Sequence, residues 1–208
     1  MRASEPSAIV FDLDGVLADS TGAVERAWRR WAVQQRLAAE PLLAVVHGRP
    51  SRDVIREFAP ELDADEQAEL VDRWEVEDAQ SIAPLPGALE CVEIARRGAW
   101  AVVTSGGHEL ATGRLRLIGA PIPEILVTAD DVANGKPHPE PYELASRRLG
   151  IAPADCLVVE DTPAGIDAAR AAGMRVLGVS TTHPREALRG ADLVLGSMEE
   201  VRRRLMRR

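Results

Sequence analysis

Two aspartates two positions apart, Asp12 and Asp14, stand where the apolar run Ala8 to Phe11 gives way to Gly15. On an extended backbone, residues i and i+2 point to the same side, so both carboxylates would face one small space at the end of a strand. Like charges that close raise each other's pKa unless a cation or a proton transfer makes use of them. Read alone, Asp-Leu-Asp-Gly is equally a polar turn. It also opens calcium loops, but no glutamate stands at the spacing that would close one. Three further stretches carry chemistry. Thr104-Ser105-Gly106-Gly107 offers hydroxyls and unhindered N–H groups ahead of a helix, where an anion is favoured. Asn134-Gly135-Lys136-Pro137 puts a lysine on a constrained loop. Glu160-Asp161 leaves an apolar run and precedes Thr162-Pro163, a pair suited to a helix cap and first turn.

These residues together fit phosphoryl transfer to an aspartate. Glu160 and Asp161, beside the first two acids, read as part of an oxygen-ligand site for Mg²⁺, which would neutralise carboxylate and phosphate. Lys136 and the Ser105 loop would bind phosphate oxygens; one aspartate would attack, and the other would handle the leaving-group proton. His47, His108, His138 and His183 lack metal-ligand spacing, which argues against zinc, and no G-x-S-x-G elbow supports Ser-His-Asp hydrolysis.

Positioning such groups takes a parallel sheet. From Pro84 onward, helical patterns alternate with apolar strands: helices over 87–97, 109–118, 141–149 and 163–172, and strands over 100–103, 125–127, 156–159 and 175–179. A last unit runs through Leu188 and 193–195 into an amphipathic tail. Continuous apolar strands between helices mean a sheet covered on both faces, and ligands bind beyond the carboxyl ends of such strands, where all four stretches fall. Residues 19–84 differ. Val24, Ala27, Trp28 and Trp31 recur at helical spacing, as do Val54, Ile55 and Phe58 after a Ser51 cap. A third helix begins at Asp63, with Glu66 in capping-box position. The expected fold class is therefore α/β, a Rossmann-like parallel-sheet core over residues 1–18 and 85–208, with an inserted α-helical domain over 19–84.

With 208 residues and 46% hydrophobic content, the chain can bury one sizeable core and a smaller insert. Twenty-five Lys+Arg against 33 Asp+Glu give a net charge of −8, which argues against nucleic acid or an acidic membrane as partner. No apolar run approaches the ~20 residues of a membrane span, and no signal-peptide core is read. Cys91 and Cys156, both in apolar segments, read as the reduced thiols of a cytoplasmic chain. Of the 25 basic residues only Lys136 is a lysine. The terminal arginines, Arg202 to Arg204, Arg207 and Arg208, read as cations at a final helix end.

The four stretches, in order, are similar to the motifs of the haloacid dehalogenase superfamily: Asp12-Leu-Asp14-Gly15-Val16, Thr104-Ser105-Gly106, Gly135-Lys136-Pro137 with His138 to Tyr142, and Glu160-Asp161-Thr162-Pro163 through Ile166. The likeness runs from about residue 8 to 196. It implies a helical cap inserted after the first motif. Asp12 would be the nucleophile that forms an aspartyl phosphate, and Asp14 the general acid/base. Mg²⁺ would be held by the Asp12 carboxylate, the Asp14 carbonyl and the Asp161 carboxylate, with Glu160 in or next to that shell. Ser105, the Gly106 N–H and Lys136 would bind the transferring phosphate. Within the superfamily the chain resembles phosphatases of small polyol and sugar phosphates, such as glycerol 3-phosphate and 2-deoxyglucose 6-phosphate, with Arg49 and Arg52 as candidate substrate contacts of the cap. It also resembles the β-phosphoglucomutases in its first motif and in Ser51-Arg52-Asp53, where Arg52 could grip a distal phosphate. A non-catalytic binding module on this fold would be expected to lose a motif aspartate or the lysine, and none is lost. The expected partner is a small-molecule phosphate ester, and the expected state a monomer or weak homodimer.

Overall fold

The computed structural model describes residues 5–78 and 82–207. Six parallel strands form the main sheet: β1 (Ala8–Phe11), β4 (Ala99–Val103), β5 (Ile125–Val127), β6 (Cys156–Glu160), β7 (Arg175–Val179) and β8 (Leu193–Leu195), in the order β5-β4-β1-β6-β7-β8. Their apolar runs are continuous because both faces are buried. On one face Phe11, Val102, Val159 and Leu177 meet α5 (Ala88–Ala95), α6 (His108–Leu117) and α9 (Met198–Met206). On the other, Val10, Val103, Val158 and Val176 meet α7 (Glu140–Leu149) and α8 (Pro163–Ala171). Strand β1 is central and pairs Phe11 with Val102 on one side and Val159 on the other. This register brings Asp12 level with Val103 and Glu160, so the ends of β1, β4 and β6 share one edge.

Between β1 and β4, helices α1 (Thr21–Gln35), α2 (Ala39–Leu43), α3 (Ser51–Phe58) and α4 (Ala64–Glu77) pack around a core of their own. Trp28 and Trp31 meet edge to face, ring centres 5.5 Å apart, and the Trp31 indole N–H donates to Gln67 Oε1 at 3.0 Å. The tryptophans are thus core residues of this block, as their periodicity implies. Two two-residue strands, β2 (Ala18–Asp19) and β3 (Ala83–Pro84), pair antiparallel where the chain enters and leaves it. They are too short to leave a periodic signal.

Asp63 caps α4, its Oδ1 accepting from the Asp65 and Glu66 N–H groups at 3.1 Å each, and Thr162 caps α8 by accepting from Gly165 N–H at 3.1 Å. Ser51 is not a cap. It is the first residue of α3, after Pro50, and its hydroxyl lies 3.5 Å from Asp72 Oδ1 instead. Helix α9 carries Arg203 and Arg204 in its last turn, and Arg208 lies outside the described residues. Among the described residues no helix is long and apolar enough to cross a membrane.

Trp31 is fully buried at the centre of the helical block. Replacing it with alanine removes a large apolar group and leaves Gln67 Oε1 with Gln35 Nε2 at 3.3 Å in place of two donors, and should lower stability by about 3–5 kcal/mol. Urea unfolding checks this; a loss under about 1 kcal/mol would mean that the block collapses to fill the gap.

Candidate active site

Lys136 is the pivot of the site. Its side chain is fully buried, and Nζ donates to Asp12 Oδ1, to Glu160 Oε1 at 2.8 Å and to the Val103 carbonyl at 3.3 Å. One group from each of three adjacent strand ends therefore holds the ammonium, and the Tyr142 ring lies 5.2 Å away. Burial is the largest influence on both members of the lysine–aspartate pair. It would depress Lys136, but Asp12 and Glu160 outweigh it and hold the ammonium well above the ordinary lysine value. Burial pushes the Asp12 carboxyl up to about 8, with Lys136 opposing and Glu160 and Asp14 adding to it. With Glu160 beside it the lysine keeps its charge. Asp12 is the member that holds its charge less firmly, and a further cation would favour its ionised form.

Glu160, expected in or next to a metal shell, stands beside Asp12 and Asp161 with both of its oxygens engaged. Oε1 already accepts from Lys136 and from the Tyr142 hydroxyl at 3.1 Å; Oε2 accepts from the Asp161 and Thr162 N–H groups at 2.8 Å each and from Thr162 Oγ1 at 3.0 Å. A carboxylate with five donors is a fixed counter-charge for Lys136 and has little left to offer a metal. Asp161 is different. It is fully buried, Thr182 Oγ1 donates to Oδ2, and Oδ1 has no partner among the described residues. Burial, then Glu160 and Asp12, raise its pKa well above the ordinary value. Three buried carboxylates, Asp12, Glu160 and Asp161, thus share one lysine, and this excess of buried negative oxygen fits a hard divalent cation such as Mg²⁺. No three His, Cys, Asp or Glu side chains among the described residues gather as a ligand set by themselves. Of the three carboxylates, Asp161 keeps an oxygen without a partner and Asp12 is engaged by Lys136 through Oδ1. Gly15 permits the close approach: it has φ +80°, and a Cβ there would overlap the Asp161 carboxylate.

Asp14 sits beside this group. Its Oδ1 accepts from Ser20 Oγ at 2.6 Å, and its Oδ2 lies 3.4 Å from Thr104 Oγ1. Ser105 Oγ donates to the Gly48 carbonyl at 3.0 Å, and the Gly106 N–H to Thr104 Oγ1 at 3.1 Å. Asp12, Asp14, Thr104, Ser105 and Gly106 line a cavity of about 50 Å³, roofed by Trp28, His47, Gly48 and Arg49 of the helical block. Gly48, at φ +79°, lies so close to the sheet edge that a Cβ would come within 2.5 Å of Thr162 Oγ1.

The two arginines proposed from the sequence part ways. Arg49 lines the cavity while paired with Glu57 at 2.8 Å. Arg52 does not line it. Its guanidinium donates to the Ala129 carbonyl and, at 3.1 Å, to that of Val132, tying α3 to the loop after β5. Both bonds run from Nη2, and Arg52 stands with Ser51, Ser105 and Ala129 beside a neighbouring cavity.

The residues that sequence reasoning missed are Arg114, Glu75 and Asp72. Arg114, on α6, pairs with Asp14 Oδ2 at 2.8 Å and with Glu75 of α4, and all three line the cavity with Asp72. Burial pushes Glu75 up to about 7 and Asp72 to about 6, with Arg114 opposing in each. Helical spacing from Leu110 to Arg114 was the available signal, but in a chain whose cations are nearly all arginine it did not stand out.

Residues 6–173 match the family of haloacid dehalogenase-like hydrolases. Hexitol phosphatase A of Escherichia coli is 42% identical over 197 residues, spanning 92% of this chain and 91% of that protein. Glycerol-1-phosphate phosphohydrolase 2 of Saccharomyces cerevisiae is 31% identical over 210 residues, spanning 94% and 84%. Among solved structures, β-phosphoglucomutase from Clostridium difficile superposes with a TM-score of 0.84 at 25% identity, covering 97% of this chain and 96% of that one.

Lys136→Met should cost metal-free protein about 3–5 kcal/mol, because it removes the counter-charge of Glu160 and the hydrogen-bond donor of Asp12; a chemical denaturation midpoint unchanged from wild type would contradict the pivot. Asp72 carries a pH signature. Its folded-state pKa is raised from 3.8 to about 6, so its contribution to stability is full below about 4 and is lost as pH rises through about 6. Wild-type stability should therefore fall relative to Asp72→Asn between pH 4 and 7. A difference between the two proteins that stays flat across that range would refute the assignment.

Proposed function

The chain belongs to the haloacid dehalogenase-like hydrolase family, and on that footing we propose that it is a Mg²⁺-dependent phosphatase of small phosphorylated polyols or sugars. The observation that carries the reading is the buried Lys136 set between Asp12 and Glu160 beside the half-satisfied Asp161, an arrangement suited to a nucleophilic carboxylate and a transferring phosphate. In this reading the Asp12 carboxylate attacks phosphorus and the ester P–O bond breaks, while Asp14 gives its proton to the departing alcohol oxygen. Asp14 then takes a proton from water, which attacks the aspartyl phosphate, frees inorganic phosphate and restores Asp12. Ser105 Oγ, the Gly106 N–H and Lys136 bind phosphate oxygens; the first two exchange their present acceptors, the Gly48 carbonyl and Thr104 Oγ1, for the ligand. Mg²⁺, held by the carboxylates of Asp12 and Asp161 and the carbonyl of Asp14, would offset the charge of phosphate and nucleophile.

The α1–α4 block serves as a cap whose joints are the β2 and β3 crossings near Ala18–Ser20 and Ile82–Pro86. The small cavity beneath it suits a small ester rather than a phosphoprotein. The names of the relatives add hexitol phosphates and glycerol 1-phosphate to the candidate substrates. A mutase is the weaker reading, because the arginine that would grip a second phosphate, Arg52, is engaged by the Ala129 and Val132 carbonyls.

The test is phosphate release, with Mg²⁺, from hexitol, glycerol, 2-deoxyglucose and other sugar phosphates, with Asp12→Asn as the inactive control. Turnover of at least one that is abolished in Asp12→Asn is expected. Absence of turnover on every ester would sink the proposal, and bisphosphate-stimulated exchange between hexose 1- and 6-phosphates would favour the mutase.

A further inference from the structure

Arg114 is nearly fully buried, at 3% side-chain exposure, between two acids that belong to different parts of the fold. One arm of its guanidinium meets Asp14 Oδ2 at 2.8 Å, and the other meets Glu75, which is 5% exposed, on α4. Asp14 and Arg114 both belong to the α/β core, and the seating of the helical block on the sheet adds Glu75 to them. We propose that Arg114 is a positioning residue for Asp14, and that Glu75 makes this positioning depend on the cap. The inference rests on the reading of Asp14 as the general acid/base.

Several observations converge on it. Each oxygen of Asp14 has a neighbour tied to the helical block: Oδ1 has Ser20, at the entry to α1, and Oδ2, which also lies 3.4 Å from Thr104 Oγ1, has Arg114, which Glu75 anchors from the other side. The Asp14 side chain is 26% exposed, while its arginine is shut in. The acid is thus the more accessible member of the pair in the cavity that both line. A buried ion pair is a poor stability device, since desolvation consumes most of what Coulomb attraction returns. A planar guanidinium is nonetheless well suited to setting two carboxylates, here Asp14 on one nitrogen and Glu75 on the other, in fixed relation to each other. Cap residues reach the sheet elsewhere through backbone carbonyls, as Arg52 does, so a tie alone did not require contact with Asp14. With the block lifted away, Glu75 would leave Arg114, and Asp14 would lose the alignment of its holder.

The consequence is selective. A poorly placed acid slows the first step, formation of the aspartyl phosphate, for esters whose alkoxide leaving group needs a proton, and spares that step for p-nitrophenyl phosphate, whose leaving group does not. Hydrolysis of the aspartyl phosphate, in which Asp14 takes a proton from water, is common to both, so each loss is read as the single-turnover rate of alcohol or p-nitrophenol release. In Arg114→Gln that rate on the best polyol or sugar phosphate should fall about a hundredfold, the scale of a misplaced catalytic group. KM on that ester and the single-turnover release of p-nitrophenol should stay within about threefold. Glu75→Gln should show the same selectivity to a smaller degree, and Arg114→Gln/Glu75→Gln should be no worse than Arg114→Gln alone, because the two act in series. Arg114→Lys, which keeps the charge without the fork, should recover part of the loss; with Glu75→Gln it decides the matter by the same criteria if Arg114→Gln does not fold. Equal losses on both esters, a change in KM alone, or single-variant effects that multiply in the double would overturn the inference. Asp14→Asn separates it from its premise. Selective loss there without selective loss in the Arg114 variants removes only the role of Arg114, and unselective loss in Asp14→Asn removes the general-acid reading and this inference with it.

Discussion

A charged lysine deep inside a protein survives only with carboxylates arranged around it, and the rest of this structure follows from that requirement. Lys136 sits at the meeting point of three strand ends, and each supplies an acceptor: Asp12 after β1, the Val103 carbonyl of β4 and Glu160 of β6. The parallel register is what aligns those ends. Glu160, fully buried, accepts from five donors, which it draws from Lys136, Tyr142 and the start of the loop into α8. Tyr142 in turn fixes where α7 lies against the sheet. The charge imbalance that remains falls on Asp12 and Asp161, where a divalent cation fits best.

The helical block has a separate logic. Its tryptophans and aliphatic residues fill a core independent of the sheet, so its folding does not rely on the site. Its contact with the sheet edge is polar instead: Arg52 on two carbonyls, the Gly48 carbonyl under Ser105, Glu75 on Arg114. The Glu75–Arg114 pair is buried, so it ties the block to the sheet more firmly than an exposed polar contact would.

A second theme is that acids of the same type acquire distinct characters from their surroundings. Asp12, Asp14, Glu160 and Asp161 stand within one sheet edge, yet one faces a lysine, one an arginine and a serine, one is saturated with donors, and one keeps an unpartnered oxygen. Neighbours, more than residue type, assign the work each can do.

The amino-acid sequence by itself determined the elements and the four loops where chemistry collects, because apolar periodicity and glycine, proline and cap residues act locally and leave their mark within a few positions. The helices of the α/β region, the continuous strands and the tryptophan core of the insert all lie where periodicity puts them, to within a residue or two at the ends. Only the tertiary structure decided which polar groups meet. Glu160 became the partner of Lys136, Arg52 was drawn to the backbone of the loop after β5, Ser51 faced Asp72 rather than capping α3, and Arg114 and Glu75 emerged beside Asp14. These pairings join residues tens to more than a hundred positions apart. They are set by sheet register and by how a helical block seats on an edge, and no local pattern in the chain records either.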